Sequence, residues 1–106
     1  MPVRVLPLAS GARMSAAIGF LEPGARYAVH YHRTLEQLTF VTRGEVEVTM
    51  DGVTRRLGVG EAMTNPARAR LSFANPGSDA AEVLFVCTPP FPADASEVVL
   101  MDGHRA

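Results

Sequence analysis

Two histidines, His30 and His32, stand two residues apart in a run that reads as a β-strand. Side chains at i and i+2 of a strand point to the same face. Both imidazoles therefore project together, a common way to hold a transition metal. Five residues on comes Gln37, preceded by Glu36, on the far side of a turn through Arg33-Thr34-Leu35. A hairpin returns one of these two side chains to the histidines and not both, because neighbours on a strand face opposite ways. Register favours Gln37, which shares parity with Thr39 and Val41. Glu36 shares parity with Leu38, Phe40 and Thr42. An inward Gln37 turns Leu38 and Phe40 outward, where a partner subunit would cover them. A neutral amide oxygen is a weaker ligand than a carboxylate and cannot serve as a base.

The elements that position these residues are short strands. Turn signals recur through the chain at Pro23-Gly24, Arg43-Gly44, Asp51-Gly52, Gly58-Val59-Gly60, Asn65-Pro66, Asn75-Pro76-Gly77 and Pro89-Pro90. The run Glu45-Val46-Glu47-Val48-Thr49-Met50 alternates strictly, so it reads as a half-buried strand. Asp51-Gly52 after it is a strong hairpin signal. Strands are expected over 15–21, 26–32, 37–42, 45–50, 53–57, 61–64, 69–74, 82–88 and 97–100. No segment keeps a 3.6-residue apolar period over three turns. The expected fold is all-β, a single-domain jelly-roll-like barrel.

Composition sets outer bounds. The chain has 106 residues, 47% hydrophobic and 20% charged, which suits one folded domain. Net charge is −1, and all ten basic residues are scattered arginines, so no nucleic-acid-binding face is expected. The single Cys87 excludes an internal disulfide and any CxxC zinc pattern. No apolar run approaches about 18 residues, so no membrane span is expected. The first ten residues lack the apolar stretch of a signal peptide, and a cytoplasmic location is expected.

The spacing Gly24-x5-His30-x-His32-x4-Gln37-x6-Gly44 resembles the first motif of the cupin superfamily, G-x5-H-x-H-x(3,4)-E-x6-G. Gly60-x5-Pro66 followed by Leu71-x3-Asn75 resembles the second, G-x5-P-x-G-x2-H-x3-N. The resemblance runs from about Gly24 to Phe91, with an N-terminal strand and a C-terminal tail flanking it, and implies that residues 1–106 make up one domain similar to small bacterial cupins. It departs from the pattern at three positions. Gln37 replaces the acidic residue, Arg68 the second-motif glycine and Leu71 the second-motif histidine.

The resemblance implies a divalent metal (Zn, Ni, Mn or Fe) on His30, His32 and Gln37. It implies a cavity lined by Arg26, Val46, Val48, Met63, Leu71, Phe73 and Phe85, with Met50 filling apolar space beside them. Arg26 shares parity with the histidines, so it either enters the cavity mouth, where it would meet a carboxylate substrate, or stands in solvent at the rim, the favoured reading. Tyr27 and Tyr31 fall on the opposite parity and are expected at the surface or an interface. Cys87 reads as a buried, inert thiol and His104 as part of a frayed tail.

Two functions follow as expectations. The first is a metal-dependent isomerase or cyclase, in which the metal acts as a Lewis acid on a small oxygenated substrate. The second is a non-catalytic small-molecule-binding barrel, favoured by the missing third histidine. Small cupins of this kind imply a homodimer.

Overall fold

A computed structural model describes residues 3–92 and 97–100. Ten strands run in chain order: β1 (Val3–Ser10), β2 (Ser15–Leu21), β3 (Arg26–His32), β4 (Glu36–Arg43), β5 (Glu45–Met50), β6 (Val53–Gly58), β7 (Ala62–Asn65), β8 (Leu71–Ala74), β9 (Ala81–Thr88) and β10 (Val98–Leu100). They form two five-stranded antiparallel sheets, ordered β1-β2-β9-β4-β7 and β10-β3-β8-β5-β6. This is a jelly roll. Among the described residues no helix is long and apolar enough to cross a membrane.

The alternating run of β5 does what its pattern dictates. Val46 and Val48 are fully buried, and Glu47 on the opposite face pairs with Arg56 of β6 at 3.0 Å. Asp51 and Gly52 both take positive φ, which closes the β5–β6 hairpin with the twist the strands require. Gly44 shows why its position tolerates no side chain. Its φ is +73°, and a β-carbon there would sit 2.8 Å from the Ala80 carbonyl oxygen.

Several strand ends move by one residue from the sequence expectation, and two starts shift for a reason visible in their hydrogen bonds. β8 begins at Leu71 rather than at residue 69, because the Ala69 amide turns back to the Pro66 carbonyl and the Arg70 amide donates to Asp51 Oδ1. β10 begins at Val98, because the buried Glu97 before it is occupied with the β3–β4 turn. Its carboxylate accepts from Thr34 N, Thr34 Oγ1 and Leu35 N at 2.6, 2.8 and 2.8 Å.

The sandwich is filled unevenly. Where β4 and β7 face β5 and β6, side chains close the gap completely: Val41, Val46, Val48, Leu71 and Val83 have no measurable exposure. Where β1 and β2 face β3 and β10, the sheets stand apart around a cavity of about 810 Å³. Close packing at one end makes the scaffold rigid. The open end carries the polar groups.

Candidate functional site

The site is built on a β-bulge. Tyr27 of β3 stands opposite Phe73 of β8, and His30 opposite Leu71, so three steps along β3 match two along β8. A bulge of this kind reverses which side chains face inward. Two expectations are corrected as a result. Tyr27 turns into the cavity, its ring edge-on to His30 with centroids 4.8 Å apart. Arg26 is left exposed and outside the cavity lining. Tyr31, past the bulge, stays on the outer face, where the Arg68 guanidinium lies 5.7 Å over its ring.

His30 and His32 are 3% and 4% exposed, with ring centroids 5.1 Å apart. His30 Nδ1 lies 2.9 Å from the Ala28 carbonyl oxygen, which can only accept. The proton therefore sits on Nδ1 and the lone pair on Nε2, the arrangement by which backbone carbonyls fix metal-binding imidazoles. Burial lowers the pKa of both rings. For His32 it falls to about 4, burial acting first and His30 second, against an opposing pull from Glu97. Both rings are neutral at pH 7, the form that ligates. His32 Nδ1 is a buried nitrogen with no hydrogen-bond partner among the described residues. Such a group costs about 1–3 kcal/mol.

Gln37 is 5% exposed and lines the cavity, while Glu36 lies exposed on the other face of β4. A relay orients the amide. Gln37 Nε2 donates to Thr39 Oγ1 at 3.4 Å, and Thr39 Oγ1 donates to Asn65 Oδ1 at 2.6 Å. Gln37 Oε1 accepts from the Cys87 thiol, 3.8 Å away. Burial, seconded by Glu97, pushes the Cys87 pKa up to about 11, so the thiol stays protonated and is no nucleophile.

Two neutral imidazoles on β3 and one amide oxygen on β4 of the facing sheet are a donor set that fits a divalent transition metal. Among the described residues there is no group of three or more His, Cys, Asp and Glu side chains that could hold one, so the amide is needed to complete the set.

Of the other residues expected to line the cavity, Phe73 and Phe85 do so, their centroids 5.5 Å apart. Val46, Val48, Met63 and Leu71 do not. They belong to the closed half of the sandwich, where β5, β7 and β8 pack without a gap, and Met50 packs there too. Sequence reasoning missed the β1 wall (Val3, Val5, Pro7, Leu8), the rim residues Phe91 and Val98, and Glu97. The Val3-Arg4-Val5 alternation was a usable signal for β1. The β3 bulge has none in the sequence. His104 lies outside the described residues.

Comparison with known proteins gives a consistent picture. The family model described as "Cupin domain" matches residues 18–87. The chain is 32% identical over 72 residues to "Polyketide synthase CurC" of Streptomyces cyaneus, covering 68% of this chain and 47% of that protein. It is 32% identical over 80 residues to "Protein SchB" of Streptomyces halstedii, covering 74% of this chain and 58% of the other. The chain thus spans about half the length of the curated relatives it matches. Among solved structures, KdgF from Halomonas sp. superposes with a TM-score of 0.77 at 24% identity, over 83% of this chain and 79% of that one.

Proposed function

The chain belongs to the cupin domain family, and on that premise we propose that it binds one divalent transition metal through His30, His32 and Gln37 and acts on a small oxygenated substrate in isomerase- or cyclase-type chemistry. The observation that carries the proposal is the tautomer of His30. Its Nδ1 proton is committed to the Ala28 carbonyl, so the Nε2 lone pair is pre-formed at a buried, neutral ring beside a second one.

A bound metal would supply Lewis-acid polarisation of a substrate oxygen. The chain's own residues do the rest. The Thr39–Asn65 relay keeps the Gln37 oxygen, rather than its NH2, turned away from Thr39. Tyr27, Phe73 and Phe91 pack their rings beside the imidazoles. The match to a protein named as a polyketide synthase supports an oxygenated, carbon-rich substrate for this chain.

Cobalt(II) titration tests the reading. A site of two imidazoles and one amide oxygen gives visible absorption bands distinct from those of the hydrated ion, and these vanish in His30→Ala/His32→Ala. A titration indistinguishable from free cobalt rejects the proposal. A second reading, a non-catalytic binding barrel, is favoured by one observation. Leu71, at the second-motif histidine position, is fully buried and apolar.

We further propose a homodimer. Leu38, Phe40, Leu84 and Val86 share the outer face of the β1-β2-β9-β4-β7 sheet and are only half-buried there. A contiguous apolar sheet face of this kind supports self-association.

A further inference from the structure

The cavity walls carry information about the ligand beyond the metal wall. Among the described residues, no Asp, Glu, Lys or Arg lines the cavity of about 810 Å³. The arginine that strand parity would have placed at its mouth, Arg26, is turned out by the β3 bulge. The charge that acts on His32 and Cys87 is the Glu97 carboxylate, an anion. A phosphate or carboxylate needs Arg, Lys, a metal ion or a helix N-terminus when it leaves water, and without a metal this cavity offers none among the described residues. Without one, its desolvation costs several kcal/mol.

Aromatic side chains enter the cavity from both sheets. Tyr27, Phe73, Phe85 and Phe91 present ring edges and faces, which stack well on another ring. On β1 and β2 the small residues Ala9, Ala17 and Gly19 stand among the larger Val3, Val5, Leu8 and Leu21. Gly19 has a specific part. A β-carbon on it would meet Phe85 Cε2 at 2.6 Å, so the Phe85 ring lies directly against the β2 backbone. Any side chain at 19 would push that ring out into the cavity.

The polar groups converge at one place, His30, His32 and Gln37, with the weakly polar Cys87 beside them. Ser15 Oγ, also in the lining, is engaged by the Phe91 amide at 2.9 Å. The volume lies within the roughly 300–1,000 Å³ of sites for drug-sized ligands.

From this geometry we infer that the cavity takes an uncharged aromatic compound whose ring body packs among Tyr27, Phe73, Phe85 and Phe91, with its polar edge on His30, His32 and Gln37, and that without a metal it discriminates against phosphorylated ligands. The inference rests on the proposed function for the identity of the polar wall. It does not need the metal, so the two can fail separately.

The test uses the full chain after chelator treatment, with calorimetric titration of 2-naphthol, 2-naphthyl phosphate and glucose 6-phosphate. The two naphthyl probes share the ring body and differ by the charged phosphoryl group at the polar edge. 2-Naphthol is expected to bind on the order of tenfold or more tighter than its phosphate, about 1.4 kcal/mol, with glucose 6-phosphate weaker than both. Gly19→Ala is expected to weaken 2-naphthol on the order of tenfold, because Phe85 then occupies ring space. Val5→Arg, on the exposed edge strand where folding is not at stake, is expected to shift selectivity toward the phosphate. Equal or tighter binding of either phosphate to the unaltered chain overturns the inference, as does failure to bind 2-naphthol. Unchanged selectivity in Val5→Arg overturns it too. Ring selectivity without cobalt binding leaves this inference standing and removes the metal, and cobalt binding without ring selectivity does the reverse.

Discussion

His30 and Leu71 stand directly opposite one another on β3 and β8. Directly paired strand residues place their β-carbons about 4.5–5.5 Å apart on one face, so Leu71 occupies the place from which a third imidazole would reach a metal held by His30. Leu71→His should therefore raise metal affinity by one to two orders of magnitude, read by titration against a competing chelator. Leu71 is fully buried, so the metal-free variant should melt earlier, by about 2–4 kcal/mol of lost stability. Added metal should recover much of that loss. A variant that melts earlier and gains no affinity would place the metal elsewhere.

Arg68 occupies the second-motif glycine position with φ of +72°. A side chain in that region costs about 1–2 kcal/mol that glycine does not. Arg68→Gly should raise stability by about 1 kcal/mol, after the loss of its contact with Tyr31, or about 5 °C in Tm for a chain of this size. The Arg68 amide bond to the His32 carbonyl is kept. A lower Tm would mean that the guanidinium contributes more than the backbone strain costs.

The histidines make stability depend on pH. The folded-state pKa of His32, about 4, lies below its ordinary 6.5, so the unfolded chain takes up the proton first. The stability carried by the neutral ring is full above about pH 6.5 and is lost as pH falls toward 4. His30, lowered in the same direction by burial, adds to the same slope. The loss from His32 is at most about 3 kcal/mol, and water entering through the cavity reduces it. Denaturant midpoints from pH 7.5 to 4 should fall across this window, and His32→Gln should flatten the curve. An unchanged slope in His32→Gln would show that the ring is not held neutral.

Glu97 pins the turn that sets His32 and Gln37 apart. Removing its carboxylate leaves two backbone amides without partners, at about 1–3 kcal/mol. Glu97→Ala should lower stability by roughly that amount and weaken metal binding, whereas Glu97→Gln, which keeps one acceptor oxygen, should do less of both. Equal effects of the two substitutions would assign the role to charge rather than to the hydrogen bonds.

The outer face of β4 and β9 predicts a dimer. Phe40→Glu places a charge in its centre and should shift the protein from dimer to monomer in light scattering. A monomer before substitution would contradict the self-association.

Much of the fold was legible because it depends on patterns of period two. The strict alternation of Glu45–Met50, and the turn residues around it, fixed β5 and its hairpin without tertiary information. The spacing of His30 and His32 placed both rings on one face for the same reason, and the parity of Gln37 turned it into the same cavity from the facing sheet. What was not legible was set by pairing between distant strands. One extra residue in β3, opposite β8, exchanged Arg26 for Tyr27 at the site. The choice of which half of the sandwich fills moved Val46, Val48, Met63 and Leu71 from the expected cavity into the core. Glu97 reaches residues 62 and 63 positions earlier in the chain, a contact no local pattern announces.

The most direct measurement is the metal content of untagged protein, by elemental analysis, as purified and after incubation with Zn, Ni, Mn and Fe(II), beside His30→Ala/His32→Ala. A tag is excluded because added histidines fill open coordination positions. The account predicts close to one metal per chain in the unaltered protein and none in the double variant. No retained metal under any of these conditions, or equal metal in both proteins, would contradict it.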